Sequence, residues 1–378
     1  MIYPGSDLQS GNQNSAVGNV THIFNPNLVL EGRFGWTFNI WSSDALDQSS
    51  NTSQDFGIPN LNNACDSCGG LAGFQIGGPV GAFNYGNSAH THQVDNYGKY
   101  NFVGIATWTR GNHTIKMGGD VLLAWRDRRD TSSQGDFGCD NTGVCAANGF
   151  SQTITASAAV PTSGLSMATY LLGDVSNFGR VIYANNLPLA HNTDNAFYLQ
   201  DTWHATPKLT FTLGLRYDFI GYPTSPQKGG IANFNFTNSD TIISNYGDSS
   251  ATANVDQNYF DFGPRVGFAW SGIENTVLRG GYARSFTNGF FGANFGAITN
   301  DWPNATRQDI SPVSDSYQPS LTLAGGPPVF VNGFEILAAA GNPGQYPTPN
   351  SAGFGANKHN PTNSVDQWNL SLQHQFPR

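Results

Sequence analysis

The chain has 378 residues, of which 38% are hydrophobic, 13% aromatic and only 11% charged, with 45 glycines and a formal net charge of −9. Charge this sparse lies well under the roughly 25% of soluble domains, and the negative balance, with no basic stripe, argues against nucleic acid as a partner. No run approaches the ~18 apolar residues of a transmembrane helix, yet mean hydropathy is −0.33, because Asn, Ser, Thr and Gln replace charge as the polar component.

Neutral polar residues suffice on a strand face that lines a wet lumen, so this composition fits a transmembrane β-barrel better than a soluble sandwich. The first residues, MIYPGSDLQSGNQ, have neither the basic nor the apolar region of a signal peptide. An outer-membrane protein needs that signal when it is made, so either the chain is an internal piece of a longer protein or the membrane reading fails.

Between 28 and 40, Leu28, Leu30, Phe34, Trp36, Phe38 and Ile40 fall on one side of a period-two pattern, with Glu31, Arg33, Thr37 and Asn39 opposite. Successive side chains of a strand point to opposite faces, so this reads as a strand with one apolar and one polar face. Cys65 and Cys68, then Cys139 and Cys145, lie in Gly/Asn/Ser-rich segments. Two local loop disulfides in an oxidising compartment are expected, with a zinc site, or a redox motif for Cys-x-x-Cys, as the alternatives. His90 and His92 would share a strand face as a candidate metal pair, against the plainer reading of an exposed loop.

Over 113–126, Ile115, Met117, Val121, Leu123 and Trp125 oppose Thr114, Lys116, Asp120 and Arg126. The segment 165–174 (LSMATYLLGD) reads as a short amphipathic helix, followed by a strand over 175–184. The clearest alternation sets Leu209, Phe211, Leu213, Leu215, Tyr217 and Phe219 against Thr210, Thr212, Gly214, Arg216 and Asp218. A strand over 196–203 joins it through the turn 205–208, giving a hairpin of about 10 residues per arm, the length a tilted strand needs to cross a bilayer. Further on, Phe260, Phe262, Val266, Phe268 and Trp270 oppose Asp261 and Arg265. Gly280-Gly281, inside the next strand, is expected to relieve crowding or permit a bulge. In the last strand Trp368, Leu370, Leu372 and Phe376 oppose Gln367, Asn369, Ser371, Gln373 and Gln375. Trp36, Trp41, Trp108, Trp125, Trp203, Trp270 and Trp368 collect toward strand ends, where membrane girdles sit.

Short turns at 24–27, 110–112, 205–208 and 271–275 alternate with long Gly/Asn/Ser/Pro-rich connections. Soluble domains rarely tolerate such loops, whereas outer-membrane barrels combine tight periplasmic turns with large extracellular loops. The expected fold is therefore all-β: a partial antiparallel transmembrane β-barrel of about 9–10 strands. Its long extracellular loops fall at 42–92, 129–190, 222–256 and 288–362. Parity adds a constraint. The strand 113–126 runs outward and 194–204 runs inward, so 129–190 holds zero or two crossings, and zero is favoured.

FYLQDTWHATPKLTFTLGLRYDF resembles a barrel hairpin of TonB-dependent outer-membrane receptors. NVTHIFNPNLVLEGRFGWT, MATYLLGDVSNF, FGPRVGFAW with NTVLRGGYARSF, and DQWNLSLQHQF stand in the order found in the Oar-like subgroup, spanning 19–376. The resemblance implies an outer-membrane receptor of a Gram-negative bacterium that imports a solute. It also implies a TonB box, an N-terminal plug, the TonB energy-coupling protein as partner and a barrel of about 22 strands. The sequence carries about half of those strands and neither plug nor box, so a barrel portion of a longer receptor, or a split or degenerate member, is expected. The runner-up is a surface adhesion or assembly protein with partner-binding loops.

There is no HExxH, GxSxG or phosphate loop, and no catalytic, cofactor or metal site is expected. Nine charges are expected to face the lumen: Glu31, Arg33, Lys116, Asp120, Arg216, Asp218, Asp261, Arg265 and Arg279. They would pair across neighbouring strands or, in a full-length receptor, touch the plug or the solute path. The aromatic and glycine-rich segment 285–295 is a candidate for stacking on carbohydrate or peptide, with self-packing as the plainer reading.

Overall fold

The computed structural model of the chain describes residues 7–76, 83–85, 92–137, 166–183, 189–287, 298–299, 301–310, 319–347, 355–359 and 361–376. Nine long strands form an up-and-down meander: β1 (Asp7–Asn25), β2 (Leu28–Ala45), β3 (His92–Arg110), β4 (His113–Phe137), β5 (Leu189–Thr206), β6 (Leu209–Ile220), β7 (Asp261–Trp270), β8 (Thr276–Thr287) and β9 (Asn363–His374). Each pairs antiparallel with the next in sequence. β4 pairs directly with β5, so among the described residues no strand stands between them in the sheet. The expected helix is present as Ser166–Leu172 and the strand after it as Asn177–Tyr183.

The four tight turns lie at one end of the sheet, as residues 26–27, 111–112, 207–208 and 271–275. Gly111 (φ +60°) and Asn275 (φ +54°) adopt the left-handed backbone that a tight reversal demands. Side chains complete two others: the Asn27 amide donates to Asn25 Oδ1 (2.9 Å) and the Lys208 amide to Thr206 Oγ1 (3.2 Å). At the other end the strands overshoot the expected arms. β5 has 18 residues, and β4 has 25, running to Phe137 rather than 126. The overshoot of β4 has a partner to satisfy it: 132–136 pairs with Asn177–Tyr183, and 134–137 with Gly73–Ile76.

The sheet is apolar on its exposed side. On β6, Leu213 and Leu215 are 45% and 50% exposed while Asp218, on the opposite face, is 7% exposed. Leu199, Phe197, Met117, Val266, Leu370 and Leu372 extend the same exposed face across five strands. A belt this wide exceeds what water-facing surfaces carry, and it is the arrangement expected where lipid replaces water. Two aromatic rows bound it. Near the turns stand Trp108, Trp203 and Trp270; toward the loops stand Tyr100, Trp125, Tyr217, Phe262 and Trp368. From Ile115 to Trp125 β4 rises about 33 Å, or about 24 Å after a tilt near 45°, the height of an outer-membrane apolar band. Trp41 departs from the expected girdle, since its parity places it with the polar face.

The Gly280-Gly281 pair permits no bulge, because register runs unbroken from Phe268↔Gly280 to Gly267↔Gly281. The Phe268 ring instead lies over Gly280, where a Cβ would come within 2.6 Å of it. Trp125 covers Gly98 in the same way, at 2.5 Å. These glycines let large rings lie flat on the apolar face.

Beyond the sheet, the described parts of the long loops build a layer with cores of its own. Ile58, Leu61, Leu71 and Phe74 of the first loop pack with Val175 and Phe178 of the second and with Ile310, Leu321 and Leu323 of the fourth. Ile243 of the third loop packs with Trp302 and Leu337 of the fourth. A three-stranded sheet, Ala232–Phe234, Asp240–Ile243 and Gln345–Pro347, also joins the third loop to the fourth. The described parts of the loops are thus ordered by one another, with residue 42 to Ala45 still inside β2.

Candidate functional site

Register places all nine predicted charges on one face. Arg33, Val103, Asp120, Ala196, Asp218 and Asp261 form a single cross-strand row through β2 to β7. The adjacent row contains Glu31 and Arg216, and the next Lys116 and Arg265. Arg279, opposite Ala269, lies nearest the turns on β8. Their contacts differ from simple cross-strand pairing. Arg216 Nε donates to Asp218 Oδ1 within one strand (2.8 Å), Asn101 donates to Asp120 (2.6 Å) and Asn258 to Asp261 (2.7 Å). Asp218 and Asp261 stand directly opposite each other as like charges. Neutral amides therefore satisfy carboxylates that charge pairing leaves out.

Two features of the strands escaped sequence reading. Arg126 forms a two-pronged bond to Asp95 (2.8 and 2.6 Å) where β3 and β4 leave the apolar belt. On the apolar face near the turns, His113 stacks on Trp203 (5.7 Å, 5°) and lies 2.7 Å from Asp201. Asp201 belongs to the quoted FYLQDTWH run, but its partner lies 88 residues away, so no local pattern announces the pair.

Cys65 and Cys68 are bonded to each other, while Cys139 and Cys145 lie outside the described residues. Thiol-specific labelling of the native protein is expected to leave Cys65 and Cys68 unmodified until a reductant is added; labelling without reductant would remove the bond. His90 also lies outside the described residues. His92 opens β3, and its Nδ1 meets Asp44 Oδ1 at 2.5 Å, which ties it to the neighbouring strand. Among the described residues no three metal-ligating side chains converge. Of the segment 285–295, residues 285–287 end β8 and the rest lies outside the described residues.

In the loop layer the dominant polar group is Arg180, 2% exposed. Its Nε donates to Gln308 Oε1 (2.7 Å), and its terminal nitrogens donate to the carbonyls of Asn60 (2.6 Å) and Pro328 (2.8 Å). The Phe178 and Phe330 rings flank the guanidinium, with centroids at 5.7 and 5.1 Å. Burial pushes its pKa down to about 10, which leaves it charged at neutral pH. One side chain thus ties the first, second and fourth loops together.

Comparison with known proteins matches 3–378 to a family model described as an outer membrane beta barrel domain. No curated protein matches the sequence. Among solved structures, the chain is similar to the outer membrane transporter YddB from Escherichia coli (12% identity, 80% of this chain and 29% of that one, TM-score 0.42). It is also similar to the siderophore receptor PiuA from Acinetobacter baumannii (12% identity, 81% and 37%, TM-score 0.38). The chain therefore spans about a third of the length of the solved proteins it matches. The family match covers all nine strands, and the chain belongs to the outer membrane beta barrel domain family, whose place is the outer membrane of Gram-negative bacteria.

Proposed function

We propose that the chain is the barrel segment of a TonB-dependent receptor of the Oar-like subgroup, whose full-length form imports a solute. The observation that supports this reading is the union, on one set of strands, of a charged polar face and an ordered loop layer. A receptor needs both, a surface that captures solute outside and a wet path whose side chains exchange hydrogen bonds with it. In this reading the loops 42–92, 129–190, 222–256 and 288–362 are extracellular and the tight turns periplasmic. Glu31, Arg33, Lys116, Asp120, Arg216, Asp218, Asp261, Arg265 and Arg279 face the lumen, where they meet an N-terminal plug or the solute. The plug and the TonB protein belong to the longer receptor, and the solute is fixed by its whole structure.

The solubilised full-length protein is expected to retain the purified periplasmic domain of the cell's own TonB protein on a column. Failure to retain it would sink the transport reading and leave surface adhesion, in which the loop layer binds neighbouring cells.

A further inference from the structure

The third and fourth loops enclose a cleft of about 1240 Å³ at the loop end of β6 and β7. It is a built feature. The buried Asn233 side chain exchanges two hydrogen bonds with the Ala356 backbone (2.7 and 3.1 Å), and the Asp256 amide donates to the Lys358 carbonyl (2.8 Å). Two aromatic rings of the lining remain open to solvent, Phe236 at 61% and Tyr259 at 55% exposure. Each is held by a second ring. Phe234 meets Phe236 edge-on at 5.3 Å, and Phe219 stacks under Tyr259 at 5.1 Å and 16°. Such support lets a ring present one free surface in a fixed position.

The polar lining is chiefly neutral. Asn357 offers an amide, which both donates and accepts hydrogen bonds; the Asn235 amide accepts from the Thr237 backbone (3.0 Å) and donates to Gln345 (3.3 Å), which fixes it with one N–H and one lone pair still to give. His359 Nδ1 lies 2.5 Å from Asp256 Oδ2, and Lys358 is the one lysine among the described lining residues. An anionic ligand would call for converging arginines or lysines, and a bare metal ion for converging ligands. Neither set is present among the described lining residues. Supported aromatic planes beside amides suit a ligand with flat C–H faces and a hydroxyl-rich rim. The volume exceeds the roughly 300–1,000 Å³ of ordinary small-molecule clefts, which points to several linked units.

We propose that this cleft binds a neutral oligosaccharide, the sugar faces stacking on Phe236 and Tyr259 while the hydroxyls reach Asn235 and Asn357. The inference rests on the receptor reading and names the solute class captured on its outer side. The test uses the full-length protein in detergent and a panel of neutral hexa- and heptasaccharides (malto-, cello-, manno- and β-1,3-gluco-oligosaccharides). Sulfated and sialylated oligosaccharides, and peptides of similar mass, complete the panel. At least one neutral oligosaccharide is expected to bind more tightly than every anionic sugar or peptide. Phe236→Ala and Tyr259→Ala should each weaken that binding by about ten-fold, while Phe236→Trp retains it. Heat-modifiable gel mobility establishes that the variants are folded. Binding of no neutral sugar, binding of peptides alone, or binding unchanged in both alanine variants would overturn the proposal. Retention of TonB without sugar binding overturns this inference alone, whereas sugar binding without TonB retention overturns the receptor reading and leaves the cleft assigned.

Discussion

Leu215→Arg should prevent stable assembly of the barrel, and Leu213→Arg should do so less completely. Both positions lie on the apolar face between the two aromatic rows, Phe211 with Trp203 toward the turns and Tyr217 with Phe262 toward the loops. An arginine at the bilayer midplane of a barrel costs about 2–4 kcal/mol, which is roughly 30- to 1,000-fold in the folding equilibrium. The neighbours separate the two variants. Leu215 is opposite Leu199 and Pro264, which offer a guanidinium nothing. Leu213 is opposite Asp201, whose Oδ1 is buried and lacks a hydrogen-bond partner, so an arginine there gains a carboxylate. Thr212→Arg, on the polar face between Thr202 and Gly267, is the control and should assemble normally. The measurement is the urea midpoint of the full-length protein folded into lipid vesicles, with heat-modifiable mobility reporting the assembled fraction. If Leu215→Arg and Thr212→Arg fold equally well, the apolar face does not meet lipid.

The strands were legible because their signal is local. Alternation at Leu209 to Phe219 needs only neighbouring residues, and the turns carry Gly111 and Asn275 at positions that demand a left-handed backbone. Register then follows from the turns, so the shared face of the nine charges was legible too. What escaped was anything whose partner is remote. β3 places Val103 and Ile105 on the polar face beside Lys99 and Asn101, which blurs its alternation and hid Asp95 as the partner of Arg126. The loop layer was harder still. Apart from the helix and strand legible over 165–184, its segments read as unstructured because Gly, Asn, Ser and Pro dominate them, yet each loop buries a few large side chains against another loop. Ile243 has meaning only beside Trp302 and Leu337. No periodicity marks such a residue, since the layer is assembled from contacts between separate loops.

Arg180→Ala should unfasten that layer while leaving the barrel intact. The three acceptors of Arg180 lie 120, 128 and 148 residues away in sequence, in two other loops. The acceptors at Asn60 and Gln308 are half-buried and Pro328 is exposed, so each loses at most about 1–3 kcal/mol when left without a donor, and the space between Phe178 and Phe330 adds a cavity cost. Losses of a few kcal/mol are a large fraction of the ~5–15 kcal/mol that holds an entire domain together, so the local structure should open. Arg180→Lys should fail in part, because an ammonium on a flexible stem lacks the planar fork that reaches three acceptors in different directions. Protease added to intact cells is the probe: wild-type protein should resist cleavage around 58–61 and 328–331, and Arg180→Ala should be cut there at low protease. Heat-modifiable mobility should not change, because the described hydrogen bonds of the guanidinium all go to loop residues, Asn60, Gln308 and Pro328. Identical digestion of wild type and variant would show that the apolar cluster of Ile58, Leu61, Phe74 and Phe178 holds the loops without the arginine. Loss of the barrel band along with the loops would show instead that sheet and layer fold as one unit. Separate loss of the layer alone is the expected result, and it would show that the loop layer can open while the membrane-spanning sheet stays assembled.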